Sequence, residues 1–104
     1  MVKVELTKQN GQFLELKMSG HANGGDYGHD LVCAALTGIM SGALNAYDAE
    51  YRDDVILMVK DNSISIKVKN LANKDVQKTF GFLVYQIKTI LVQYPQNVTL
   101  KEVG

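Results

Sequence analysis

Apolar residues along this chain repeat with two different periods, and the switches between them leave room for few folds. At the N-terminus Val2, Val4 and Leu6 alternate with Lys3, Glu5 and Thr7, the period of a half-buried strand. Asn10-Gly11 is a hairpin turn signal. Phe13, Leu14, Leu16 and Met18 follow as a second strand ending near Gly20. Val32, Ala35, Leu36, Ile39, Met40, Ala43, Leu44 and Tyr47 then recur at helical spacing. Asp30 is a good N-cap for that helix, which should run to about residue 50. Alternation returns in Val55, Leu57 and Val59, turns at Asp61-Asn62, and continues in Ile64, Ile66 and Val68. Val76, Phe80, Leu83, Val84, Ile87, Ile90, Leu91 and Tyr94 mark a second helix, closed by Pro95. Val98, Leu100 and Val103 make a last strand.

The order ββαββαβ predicts an α+β two-layer sandwich. Short hairpin connections imply a mostly antiparallel sheet, and two amphipathic helices can cover one of its faces. The sheet's other face would be wet or would pack against a second subunit. At 104 residues the chain reads as a single domain spanning 1–104. No repeat, linker or low-complexity segment divides it.

Composition narrows the setting. No apolar run approaches the ~20 residues of a membrane helix, so no membrane association is expected. MVKVELTKQN alternates like a strand and lacks the apolar stretch of a signal peptide. One cysteine cannot form an internal disulfide, which makes the reducing cytoplasm the expected compartment. The net charge of zero hides an asymmetry: +1 over residues 1–20, −5 over 21–54 and +4 over 55–104. The acidic part holds the cysteine. It argues against nucleic acid at that site and fits a basic partner, and no direct nucleic-acid contact is expected of the chain. A solvated acidic face is the plainer explanation of the same charges.

The chemistry-bearing residues crowd into GHANGGDYGHDLVCAALT, residues 20–37. This stretch holds the only cysteine, Cys33, and both histidines, His21 and His29. With Asp30 as the cap, Cys33 would be the third residue of the helix. There, unpaired N–H groups and the macrodipole favour a thiolate and can donate to an oxyanion. Asp30 opposes the thiolate, and a cationic histidine would restore the balance. His21 stands where the second strand ends and His29 directly precedes the cap, and spacing does not choose between them. Gly24, Gly25 and Gly28 permit the backbone freedom of a substrate loop, so residues 22–29 are expected to order around a bound peptide.

Plainer readings compete. A lone cysteine among Val32, Ala34 and Ala35 is most often packing, and a histidine among glycines is often simply exposed. One Cys and two His could suggest zinc, but a structural site takes four ligands and no second Cys or His cluster exists. Neither metal nor cofactor is expected.

Gly-His-Ala at 20–22, Gly28, Asp30-Leu31-Val32-Cys33-Ala34-Ala35 and Thr37, followed by Gly42, Ala43 and Asn45, resemble the signature of the ribosomal-processing cysteine protease family, Prp. The resemblance implies a homodimeric cytoplasmic protease with a Cys–His dyad. It implies removal of a short N-terminal extension from ribosomal protein L27, cut after paired aromatics and before a basic stretch. By position Cys33 matches the nucleophile and His21 the base. Asp30 matches a family acid that caps the helix or orients His21, with Thr37 in a supporting place. His29 falls at a variable polar position, and Gly24-Gly25 replaces bulkier residues. The alternative is a non-enzymatic ribosome-associated binding module in which Cys33 is packing. A thiol acyltransferase or redox protein is a third reading, and the lack of a resolving cysteine weakens its redox version.

Overall fold

The computed structural model describes residues 1–20 and 27–104, and over 27–30 the backbone only. Five strands form one sheet: β1 (Val2–Gln9), β2 (Gln12–Ser19), β3 (Val55–Lys60), β4 (Ser63–Val68) and β5 (Val98–Val103). Two helices, α1 (Tyr27–Glu50) and α2 (Lys74–Gln93), complete the order ββαββαβ. The sheet runs β3-β4-β2-β1-β5. All neighbours are antiparallel except β1 and β5, which are parallel.

The first hairpin follows from its turn residues. Asn10 and Gly11 adopt φ of 53° and 77°, the double positive φ of a turn whose twist matches the strands it joins. Register slips between Thr7 and Lys8: Thr7 faces Glu15 while Lys8 faces Phe13. Leu14 is the extra residue of this bulge.

Strand alternation sorts the residues as expected. Val2, Val4, Leu6, Leu16, Met18, Ile64, Ile66 and Val68 are buried on the face that the helices cover. Helix α2 adds Val76, Phe80, Leu83, Val84 and Ile87 to that core. Phe80 stacks on Phe13 with ring centroids 5.2 Å apart, and Tyr47 from α1 tilts against Phe80 at 6.4 Å. The opposite face carries Lys3, Glu5, Lys17, Lys67 and Lys101 in the open. The β3 edge of the same face exposes Ile56 and Met58, so charged rows and an apolar edge share it.

Helix α2 is capped on both ends. Asn73 Oδ1 accepts from the N–H of Asp75 at 3.0 Å and of Val76 at 3.1 Å, satisfying donors that a helix start leaves unpaired. The Tyr94 N–H bonds back to the Ile90 carbonyl at 2.9 Å, and Pro95 cannot continue the ladder.

Candidate active site

Helix α1 carries the cysteine, and it begins earlier than the apolar repeat predicts. Its first residue is Tyr27, so Asp30 is the fourth helical residue and not the cap. Gly28, expected in the loop, lies in the first turn. An aspartate is favoured anywhere in a first turn, where unpaired N–H groups welcome negative charge. A first-turn glycine has no N–H to lose from the ladder. Cap and first-turn preferences therefore look alike in sequence, and the helix extends back by one turn.

That turn changes the chemistry available to Cys33. It is now the seventh residue of α1, and its own N–H belongs to the helix ladder. The unpaired N–H groups lie over residues 27–30, one turn and more toward the N-terminus. The macrodipole fades within that first turn, so the expectation of direct dipole stabilisation at Cys33 is weakened. For Cys33 to act as a nucleophile, activation would have to come more heavily from a base. His29 stands four residues before Cys33 on the same helix, the spacing at which helical positions are neighbours. His21, Gly24 and Gly25 lie outside the described residues, as does most of the expected loop over 22–29. Its last positions, 27–29, are helix.

Cys33 is 8 % exposed and belongs to the hydrophobic core cluster. Burial of this degree fits the packing reading as well as a nucleophile at the core's rim. Thr37, one turn further along α1, is half-buried, and Leu31 is 65 % exposed.

The strand leading into this region is fixed by the glycine that the sequence places at its end. Gly20 ends β2 with φ of +80°, and a Cβ built on it would sit 2.6 Å from the Met1 carbonyl oxygen. Both the backbone conformation and the close approach exclude a side chain. Its N–H is bonded to the Asn62 carbonyl at 3.2 Å. The residue before His21 is thus anchored to the turn between β3 and β4.

Asp48 and Asp54, two acids from the cysteine's stretch of sequence, do not share its place. Asp48 lies 15 residues beyond Cys33 on one helix, about 22 Å at 1.5 Å per residue. It pairs with Arg52, Nε to Oδ1 at 3.2 Å. Asp54 is structural: its carboxylate accepts from Asn73 Nδ2 at 2.6 Å and from Asn70 Nδ2 at 3.4 Å. It ties the short 3-10 turn Arg52–Asp54 to the cap of α2. Between the helices runs a groove of about 720 Å³ whose walls include Gly38, Gly42, Tyr47, Glu50, Phe82 and Gln86. Among the described residues no cluster of His, Cys, Asp and Glu could hold a metal ion.

Residues 1–99 match the family model of the cysteine protease Prp. The chain belongs to the Prp cysteine protease family. Among its relatives is the ribosomal processing cysteine protease Prp of Mycoplasma genitalium, 30% identical over 105 residues, covering 98% of this chain and 96% of that one. The Prp of Staphylococcus aureus is 27% identical over 103 residues, covering 96% of this chain and 97% of that one. The crystal structure of the S. aureus Prp in complex with a substrate peptide superposes with a TM-score of 0.90 at 26% identity, over 98% of this chain and 99% of that one. The Prp match therefore extends over nearly the whole chain and includes both helices and the sheet. It decides what burial alone does not: this is a ribosomal-processing type of cysteine protease, an enzyme and not a binding module. Among the described residues, no helix is long and apolar enough to cross a membrane.

Proposed function

We propose that this protease cleaves the N-terminal extension of ribosomal protein L27 through a dyad of Cys33 and His21. One observation carries the assignment of the nucleophile. The family is one of cysteine proteases, and this chain has a single cysteine. The thiolate of Cys33 attacks the scissile carbonyl, forming a carbon–sulfur bond and a tetrahedral oxyanion. His21, holding the thiol's proton as imidazolium, gives it to the departing amine as the carbon–nitrogen bond breaks. Water, deprotonated by the same imidazole, then hydrolyses the thioester and returns Cys33. The unpaired N–H groups of the first turn of α1 are this helix's donors for an oxyanion. Asp30 in that turn is the acid nearest the nucleophile in sequence, with Thr37 on the next turn.

The substrate assignment rests on the relatives' shared description as ribosomal processing proteases and on the Gly-His-Ala and Asp-Leu-Val-Cys-Ala blocks. The enzyme acts in the cytoplasm, where its ribosomal substrate is made, and as a homodimer. The groove between α1 and α2 offers the dimer a surface of small and aromatic residues, among them Gly38, Gly42, Ala46 and Phe82.

Incubation with an L27 precursor followed by mass spectrometry tests the reading. A single cut that releases a short N-terminal peptide is expected. An intact precursor after incubation with folded enzyme would overturn the substrate assignment.

A further inference from the structure

The sheet's open face gathers charge that is scattered in the sequence. Lys3, Lys17, Lys60, Lys67 and Lys101 come from five different strands, and all five are exposed. Register places them together. Lys17 and Lys101 flank Glu5 in one row across β2, β1 and β5. Two strand spacings separate these lysines, about 10 Å. Lys3 stands one pleat away in the row of Ser19 and Thr99. Lys67 pairs with Glu15, and Lys60 with Ser63. Glu5 and Glu15 are the face's acids, leaving a net +3 against a chain whose total is zero. The salt bridges among the described residues join Arg52 to Asp48 and Lys88 to Glu102. None of the five lysines takes part in them. Lys3, Lys17, Ser19, Thr99 and Lys101 also line a shallow concavity of about 300 Å³ with Glu5 at its centre.

We propose that this face binds the phosphate backbone of single-stranded RNA. Ammonium groups outside the close salt bridges, in net excess over Glu5 and Glu15 on this face, supply the electrostatic attraction, and Ser19, Ser65 and Thr99 supply hydroxyl donors to phosphate oxygens. The two glutamates decide between polyanions. A flexible sugar–phosphate strand can set its phosphates on the lysines either side of Glu5 and Glu15 and leave the carboxylates between them. A continuous anionic bilayer would have to face both carboxylates. The exposed aromatics Phe82 and Tyr85 lie on α2, in the other layer. The sheet face therefore lacks a stacking platform among the described residues, and the binding is independent of sequence. The acidic segment in the sequence argues against nucleic acid beside the cysteine. The basic face is the opposite side of the sheet from the helices, where β-register and not chain proximity assembles the charge.

The test is fluorescence anisotropy of a labelled oligouridylate with the full chain over a salt series. Binding should weaken as salt rises, and replacing Lys3, Lys17 and Lys101 together by glutamine should lower the log–log salt slope by about 2, from ~0.7 per phosphate contact on a single strand. Lys74→Gln with Lys78→Gln, on α2, should leave the slope unchanged. Cleavage of a short peptide by the same variants should stay at the wild-type rate, which reports an intact fold and keeps this test separate from that of the protease reading. No binding at low salt overturns the proposal, as does an equal slope in both sets of variants. Phosphatidylserine vesicles or polyglutamate binding as tightly as the RNA would overturn it too.

Discussion

The side-chain amide of Gln77 pairs with the backbone of Phe13 in both directions. Phe13 N–H donates to Gln77 Oε1 at 2.8 Å, and Gln77 Nε2 donates to the Phe13 carbonyl at 2.9 Å. Strand β4 pairs with β2 only from Glu15 onward, so Phe13 projects past its partner strand. Gln77 stands in for the missing strand and fastens α2 to the hairpin beside the bulge.

Removing that amide leaves two part-buried backbone groups without their partner. Gln77→Ala should lower stability by about 1–3 kcal/mol, measured by denaturant unfolding. Gln77→Glu keeps the acceptor and loses the donor, and should fall between the two.

Tyr47 gives the fold a limit at high pH. Its hydroxyl lies 2.9 Å from Thr79 Oγ1, joining α1 to α2. Burial pushes the phenol above its usual 10.0, while the Thr79 hydrogen bond pulls it down and Tyr51 adds a small upward push. A raised phenol keeps its proton in the folded chain after the unfolded chain has released it. Stability is therefore fully present below the usual value of about 10 and declines as pH rises beyond it. Tyr47→Phe should make that decline shallower and cost about 0.5–1.5 kcal/mol near neutrality. Thermal melts across the alkaline range read both effects.

The strands and α2 were legible because their apolar residues face one continuous core. Val2, Val4 and Leu6 alternate in sequence and are buried in the structure. The start of α1 was not, because Asp30 suits a cap and a first turn alike, and apolar periodicity begins only once the helix reaches the core. The parallel β1–β5 pair was equally hidden: alternation reports which face is buried, not which strand lies alongside. Asp54 reads in sequence as one more acid on a surface, and its engagement by Asn70 and Asn73 depends on a turn that no periodicity signals.

Distance along α1 also revises the role of the acids. Glu50 is more than 20 Å from Cys33 by helical rise and Asp53 follows the end of that helix, so screening over ~8 Å at physiological ionic strength weakens their reach toward Cys33. Glu50→Gln with Asp53→Asn should leave the cleavage rate of a short peptide, and its salt dependence, within about twofold. A large loss would show that the substrate lies along α1 as far as its C-terminal end.

The histidines are separable by rate. His21→Ala should lower turnover by at least ~10²-fold, the lower range for a positioned acid–base group, and His29→Ala by far less. His29 stands one helical turn before Cys33, so the comparison is a strict one. The reverse order in measured rates would move the base to His29.

The rate of precursor cleavage by Cys33→Ala bears most directly on the whole account. The substitution removes little volume from the core, so circular dichroism and the melting temperature should stay close to wild type. Mass spectrometry should then find the L27 precursor cut by the wild-type enzyme and intact with the folded variant. Cleavage by that variant at a rate near wild type would contradict a mechanism built on the only cysteine in the chain.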